Sequence, residues 1–537
     1  MAYDSDQQLD LTQYTSLIDL IEQTSDRYGD KTAYACLGHH TSFSEIERDS
    51  RYFAAYLQSI EDLNVGDRIA IQLPNITQFV IAAYGAIRAG MVIVNTNPLY
   101  TERELIHQFN DSGAKALVVL SDLLPTLTNV VAKTDIETVI STHALDLHAP
   151  QEQAQPQPEV PFATLTFHHI LSQGAELNYQ PMTSQLEQLA ALQYTGGTTG
   201  LSKGAMLSHG NLIANAMQIK SRVGDKLIKG EEIFVAPLPI YHIYAFMVNL
   251  VLYFERGACS VLIPNPRDIS SLIQTISNYK FSGFAGLNTL FVGLCHQPEF
   301  KALDFSHLKV TISGGTALTQ AAANVWQQTT GCTISEGYGL SETSPVVSLN
   351  SPGLEQIGTI GKPVIGTEVR ILDTDDNEVP LGESGEVAVR GPQVMQGYWN
   401  KPEETAKVMT QDGFFKTGDI GVATSDGFHK IVDRIKDMII VSGFNVYPNE
   451  IEDVLSNHDA ILECAVIGVK DERAGEKVKA VIVLNDQSSD QEAARAELES
   501  YCRAQLTAYK VPRIIEFVDA LPKSTVGKIL RRELREG

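Results

Sequence analysis

The sequence predicts an α/β protein: a large N-terminal part of two packed, mostly parallel sheets with helices plus a β-rich subdomain, then a small α+β domain. Three observations predict this. Strand-like runs alternate with helical patterns up to about residue 340. From Gly361 to Val432 short alternating runs sit between Gly and Asp turns. From Asp437 onward, short strands accompany two helical stretches. The division is drawn as 1–433 and 434–537.

The elements follow in order. Arg68–Leu73 alternates apolar residues and reads as a strand. The helical pattern Thr77–Arg88 precedes a strand at Met91–Val94. Glu102–Ser112 reads as a helix and Lys115–Leu120 as the next strand. Strand, helix, strand in this rhythm implies parallel pairing, because a parallel neighbour needs a long crossover. The segment Ala149–Glu159 is rich in Gln and Pro and reads as an extended linker. The alternation resumes at Leu189 and continues through Phe234–Ala236, Cys259–Ile263, Phe281–Ala285 and Lys309–Ile312. Two such blocks suggest two sheets packed together. Thr367–Leu372 and Glu386–Arg390 alternate apolar and polar residues, as antiparallel strands do. Asn449–Ser456 and Gln491–Gln505 carry helical patterns in the last part. There is no tandem repeat.

At 537 residues the chain holds about three to four domains' worth of sequence. A hydrophobic content of 43% with 20% charged residues is that of a globular protein with a large core. The net charge of −24 repels nucleic acid, so that partner class is set aside, and an anionic ligand needs local positive sites. The final 35 residues hold eight Lys/Arg against four Asp/Glu and supply one such site. Arg531, Arg532 and Arg535 within it read as a solvated basic helix. Six scattered cysteines (36, 259, 295, 332, 464, 502) read as free buried thiols of a reducing compartment. No signal-like N-terminus and no apolar run of 18 residues is present, so a cytoplasmic protein is expected.

The densest chemical signal is Tyr194-Thr-Gly-Gly-Thr-Thr-Gly-Leu-Ser-Lys-Gly204, with four glycines, three threonines, a serine and a lysine. Glycines bring main-chain N–H groups close to an anion, hydroxyls add donors and lysine adds charge. Thr195, Gly196, Gly197, Thr198, Thr199, Gly200 and Lys203 are therefore candidate phosphate ligands. The common phosphate-loop spacing is absent. A plain flexible loop is the bland alternative. Gly200–Gly204 also fits G-x-S-x-G, which would make Ser202 the nucleophile of a serine hydrolase. That motif needs a strand leading straight in and a helix straight after. The polar Thr195–Thr199 and the apolar Ala205–Leu207 argue against it.

Ser313-Gly-Gly-Thr316 and Gly337-Tyr-Gly-Leu-Ser-Glu342 each follow a strand, where ligands of parallel sheets sit. Tyr338 offers a stacking face for a base, Ser341 a hydroxyl for phosphate, and Glu342 a carboxylate for Mg²⁺. Asp419, in Lys416-Thr-Gly-Asp419, suits two ribose hydroxyls. Asp433-Arg-Ile-Lys-Asp437 packs charge into the junction before the last part, and Pro522–Lys528 is a polar loop ending in lysine.

Together these segments resemble the adenylate-forming enzymes: acyl-CoA synthetases, luciferases and peptide-synthetase adenylation domains. Tyr194–Gly204, Ser313–Thr316, Tyr338–Glu342, Thr417–Asp419, Asp433–Asp437, Ser442–Pro448 and Pro522–Lys528 stand in that family's order. Pro239–Tyr244, Asn265–Asp268, Gly286–Leu290, Val441–Glu452 and Leu506–Pro512 resemble the bacterial long-chain fatty-acid–CoA ligase group within it.

The resemblance implies two half-reactions: a medium- or long-chain fatty acid and ATP give acyl-AMP and pyrophosphate, then coenzyme A displaces AMP. It implies catalytic roles for Lys528, Glu342 and His242, with Mg²⁺ on Glu342. Thr195–Gly200 and Lys203 would hold the β- and γ-phosphates. Gly314, Gly315, Tyr338, Gly339 and Ser341 would line the nucleotide site, and Asp419 and Arg434 would bind ribose. The last domain would be mobile about Lys436, exchanging Lys528 for a CoA-facing turn at Ser442, Gly443 and Phe444. Tyr241, Phe284, Gly286, Leu287 and Ser313 would border the acyl chain. The partners implied are fatty acid, ATP and CoA, with a homodimer and a peripheral association with the inner membrane surface left open. Two departures stand out: Ser341 replaces the usual threonine but keeps its hydroxyl, and the segment between His143 and Glu187 lacks the relatives' basic-aromatic stretch. A CoA ligase for an aromatic or other organic acid is the alternative within the family.

Overall fold

The computed structural model describes residues 9–11, 13–147, 156–195, 202–471, 473–486, 490–524 and 528–536 of the chain. A seven-stranded sheet runs in the order Leu165–Thr166, Thr138–Thr142, Ala114–Leu120, Arg68–Gln72, Val92–Asn95, Leu189–Thr195, Lys203–Ser208. All its pairs are parallel except the last, a hairpin. A nine-stranded sheet has a parallel centre that includes Ile334–Gly339, Val310–Gly314, Gly283–Gly286, Ile233–Ala236 and Cys259–Leu262, with antiparallel edges.

Helix Thr77–Arg88 is buried on every residue and lies within the core that both sheets share. Its sequence is apolar all round, which suits a helix with no solvent face. Gly85 is needed here, because a Cβ would sit 2.6 Å from Phe53 Cδ1. The one charge, Arg88, ends the helix against Glu22 at 2.9 Å, with Glu47 as a second partner.

The two sheets do not divide at the linker as the two sequence blocks suggested. Strands Leu189–Thr195 and Lys203–Ser208 join the first sheet from beyond it. Strand Thr32–Cys36 pairs in parallel with Cys259–Leu262 and is next to last in the second. Register is chosen by packing, and packing ignores sequence proximity.

The β-rich segment is a four-stranded antiparallel sheet, Glu368–Leu372, Ser384–Arg390, Phe415–Ala423 and His429–Arg434. The last part has its own core, built from residues such as Ile439, Ile451, Val466, Ile482 and Leu498. Its two main strands are long, not short: Ile461–Asp471 has 11 residues and Gly475–Leu484 has 10. The solvated reading of the terminal arginines is also corrected for two of them. Arg531 pairs with Glu452 at 2.7 Å and Arg535 with Asp437 at 3.1 Å, because Arg531–Glu536 packs on this domain. All six cysteines are free, and five are buried.

Candidate active site

A cleft of about 2080 Å³ opens at the carboxyl ends of the parallel strands of the nine-stranded sheet. Neighbouring strand ends bring small residues level, Gly286 with Ser313 and Gly314 with Gly337, and set Ser313 opposite Glu336. The cleft's other wall comes from the four-stranded sheet and the last domain, including Asp419, Arg434, Lys436 and Lys528. Gly339 lies where the chain turns toward Glu342, and a Cβ there would lie 1.8 Å from Pro345 O.

One end carries a hydrogen-bonded group of Tyr338, Asp419 and Arg434. Tyr338 donates its hydroxyl to Asp419 Oδ2 at 2.6 Å, and Arg434 Nε lies 3.2 Å from Asp419 Oδ1. Asp419 and Arg434 face each other in an antiparallel pair, so the sheet itself sets this contact. Gly314 and Gly315 line the adjacent wall, and Gly315 has a left-handed φ of +91°.

Lys528 reaches into the cleft beside Gly315; a Cβ on that glycine would lie 3.3 Å from Lys528 Cε. Its main chain is fixed by Ser524: Lys528 N–H donates to Ser524 Oγ at 3.1 Å, and Ser524 N–H donates to Lys528 O at 2.7 Å. Burial, then the Arg434 charge, lowers the ammonium to about 8. His242 caps the helix Ile243–Phe246, accepting at Nδ1 from Tyr244 N–H at 3.4 Å. Burial, then Lys528, lowers it to about 3, so the imidazole is neutral near pH 7.

At the other end Thr195 pairs with Lys203 and closes the hairpin root. Gly196, Gly197, Thr198, Thr199 and Gly200 lie outside the described residues. Lys203 meets Glu404 and stands 5.0 Å from the Tyr398 ring centroid. Tyr398 donates its hydroxyl to Glu342 Oε1 at 2.8 Å. Glu342 is 7% exposed, and burial raises its carboxyl. Ser341 stands beside it in the turn Ser341–Thr343. No cluster of three His, Cys, Asp or Glu exists among the described residues. A single cleft carboxylate suits Mg²⁺, which takes one or two carboxylates and completes its shell with phosphate and water oxygens.

Ser202 is not in a nucleophile elbow. It leads into strand Lys203–Ser208 rather than a helix, and its carbonyl bonds His107 Nε2 at 2.9 Å. The hydrolase reading is thereby corrected.

Of the residues assigned to the acyl chain, Tyr241, Leu287 and Ser313 line the cleft. Phe284 and Gly286 do not. Strand pleating turns Phe284 to the opposite face, where its ring packs 5.2 Å from Trp326, and Gly286 is covered by Phe291. Ser442, Gly443 and Phe444 form a hairpin turn outside the cleft, with φ values of 51° and 85° at the first two. Phe444 is 56% exposed and stacks on Tyr509. Lys436 is exposed at the junction.

Sequence reasoning missed Tyr398, Glu404 and Glu336. Tyr398 stands in Gly397-Tyr-Trp-Asn-Lys-Pro402, an aromatic pair between turn residues, which is a legible signal. Glu336 is a carboxyl in a strand of small and apolar residues. It accepts from Leu318 N–H at 2.9 Å, and burial raises it to about 8.

Residues 21–399 match the AMP-binding enzyme family, and residues 450–528 match the AMP-binding enzyme C-terminal domain. The chain belongs to the AMP-binding enzymes. A long-chain-fatty-acid–CoA ligase of Escherichia coli O6:H1 is 46% identical, with 97% of this chain and 94% of the relative covered. The Bacillus subtilis enzyme of the same name is 38% identical over 97% of this chain and 94% of its own. Among solved structures, an anthranilate–CoA ligase in complex with anthranoyl-AMP superposes with a TM-score of 0.89 at 27% identity, covering 99% of this chain and 98% of its own. This AMP-binding enzyme thus has the α/β architecture expected, with a large N-terminal and a small C-terminal domain.

Proposed function

We infer that the chain is an AMP-forming fatty-acid–CoA ligase. It activates a medium- or long-chain fatty acid with ATP and passes the acyl group to coenzyme A. The observation that carries this is the meeting of Lys528, Glu342 and the Tyr338–Asp419–Arg434 group in one cleft. The 46%-identical relative, whose name is long-chain-fatty-acid–CoA ligase, supports the acyl class.

The roles proposed follow from the geometry. Carboxylate and triphosphate repel each other, so their reaction needs local positive charge. Lys528 supplies it on the side of Gly315. Thr195 through Gly200 with Lys203 take the outer phosphates, and Asp419 and Arg434 take ribose. Glu342 would hold Mg²⁺, which when bound neutralises phosphate charge. Neutral His242, between Lys528 and the Tyr241 wall, donates or accepts without adding charge. The acyl chain follows Tyr241, Leu287 and the Val292–Gly293 wall.

Lys528 inside the cleft and the Ser442–Phe444 turn outside it suit the adenylating half. Rotation of the last domain about Lys436 would exchange them for thioester formation. We place the enzyme in the cytoplasm. Among the described residues no helix is long and apolar enough to cross a membrane. Contact with the inner membrane surface and a homodimer are proposals that vesicle co-sedimentation and light scattering test.

The deciding experiment is pyrophosphate release from MgATP across free acids from C4 to C18 and cinnamate-type acids, with and without CoA. Release with fatty acids that turns over only with CoA is expected. Release with aromatic acids alone would move the assignment to the other branch, and none with any acid would refute it.

A further inference from the structure

Lys203, on the outgoing arm of the phosphate hairpin, already has a partner. The start of the segment Gln396–Lys407 bridges antiparallel to that arm through backbone hydrogen bonds. Gln396 N–H donates to Met206 O at 3.0 Å, Met206 N–H to Gly397 O at 2.9 Å, and Trp399 N–H to Gly204 O at 2.8 Å. This register delivers the short helix Pro402–Lys407 to the hairpin root, where Glu404 meets Lys203 Nζ. The same carboxylate also meets Lys407 Nζ. Next along, Lys401 meets Asp111, which accepts from Tyr194 OH at 2.8 Å on the incoming arm. Both arms are thus fastened to one segment, and Tyr398 links that segment to Glu342.

We propose that Glu404 is a resident stand-in for the triphosphate: it holds Lys203 while the nucleotide is absent and yields it when the β- and γ-phosphates arrive. The proposal rests on the reading that this hairpin cradles phosphate. Glu404 is shared by two lysines, so it can release Lys203 without stranding its own charge. Lys407, with 67% of its side chain exposed, keeps it paired. A triphosphate carries more negative charge than one carboxylate, so the exchange favours ATP. Product AMP has no β- or γ-phosphate. Once pyrophosphate departs, Glu404 retakes Lys203 and opposes its return. The carboxylate's strong acidity, held down to about 2 by Lys203 first, agrees with a tight resting pair.

Isothermal titration of the full-length chain with MgATP, magnesium pyrophosphate and AMP tests this. Glu404→Gln should tighten ATP and pyrophosphate by about 3- to 10-fold and leave AMP within about 2-fold. In a Lys203→Ala background the same change should do nothing. ATP affinity unchanged or weakened in folded Glu404→Gln would overturn the proposal. Equal tightening of AMP, or tightening that survives without Lys203, would also overturn it. Should Glu404→Gln fail to fold, Lys407→Ala reads the competition from the other side. It leaves Glu404 wholly on Lys203 and should weaken ATP by about 2- to 3-fold, and an unchanged affinity refutes the idea. Failure of the underlying phosphate reading shows separately, as Lys203→Ala alone leaving ATP affinity untouched.

Discussion

On the role proposed for Lys528, the adenylating half should be sensitive to mildly alkaline pH. Burial and Arg434 lower its ammonium from the ordinary 10.5 to about 8 in the nucleotide-free cleft. The dependence of kcat/KM on pH reports the free enzyme, so kcat/KM for MgATP in pyrophosphate release should fall tenfold per pH unit above about 8. The sign for stability runs the opposite way. Above about 10.5 the lysine is neutral in both folded and unfolded chains and contributes nothing. As pH falls toward 8 the unfolded chain takes the proton first, and below 8 the folded chain carries the full penalty. That penalty is about 3 kcal/mol, and roughly half that once water in the open cleft is allowed for. The discriminating variant is Lys528→Arg, which stays charged throughout and should lose the alkaline limb even though its absolute rate is lower. A limb near pH 8 that persists in Lys528→Arg would refute the assignment. Glu336 also titrates near 8, so Glu336→Gln serves as the control and should keep the limb.

Glu336→Gln has its own signature. The carboxyl is held neutral by burial, so the wild type loses stability as pH rises from about 4.5 to about 8 while the unfolded chain ionises. The glutamine variant should melt higher than wild type at pH 8 and equally at pH 4, and equal melting at both would contradict the buried-acid reading. Tyr398→Phe removes the hydroxyl that Glu342 accepts from, and should lower kcat by about 10- to 100-fold and raise the Mg²⁺ requirement. An unchanged Mg²⁺ titration would separate Tyr398 from the metal carboxylate. Gly443→Leu should spare acyl-AMP formation and abolish transfer to CoA. Normal CoA turnover would remove the turn from the second half-reaction.

Helices Thr77–Arg88, Glu102–Ser112 and Gln491–Gln505 were legible at their observed bounds. Glu102–Ser112 begins with a reciprocal Thr101–Glu104 cap and ends at a left-handed Gly113, signals contained in a dozen residues. The motif residues were legible because glycine, hydroxyl and carboxylate at strand ends have few other uses. Phe284 was not, since reading a strand does not tell which face the pleat gives each residue until the sheet has neighbours. The strand Thr32–Cys36 was missed outright. It is five residues long, and its partner strand begins at Cys259, beyond the reach of any local pattern. Tyr398 and Glu404 matter through Glu342 and Lys203, partners that folding supplies.

That strand also sets an order of events during synthesis. Tyr34 and Ser260 pair across the sheet, yet the ribosome makes one long before the other. At about 5–20 residues per second the wait is roughly 11–45 s. Throughout it an apolar strand, hydrogen-bonded on one side only to His39–Ser42, has its other side without its native neighbour. A nascent chain stalled before residue 259 therefore carries a sticky unpaired edge, and the cell must shield that edge or discard the fragment.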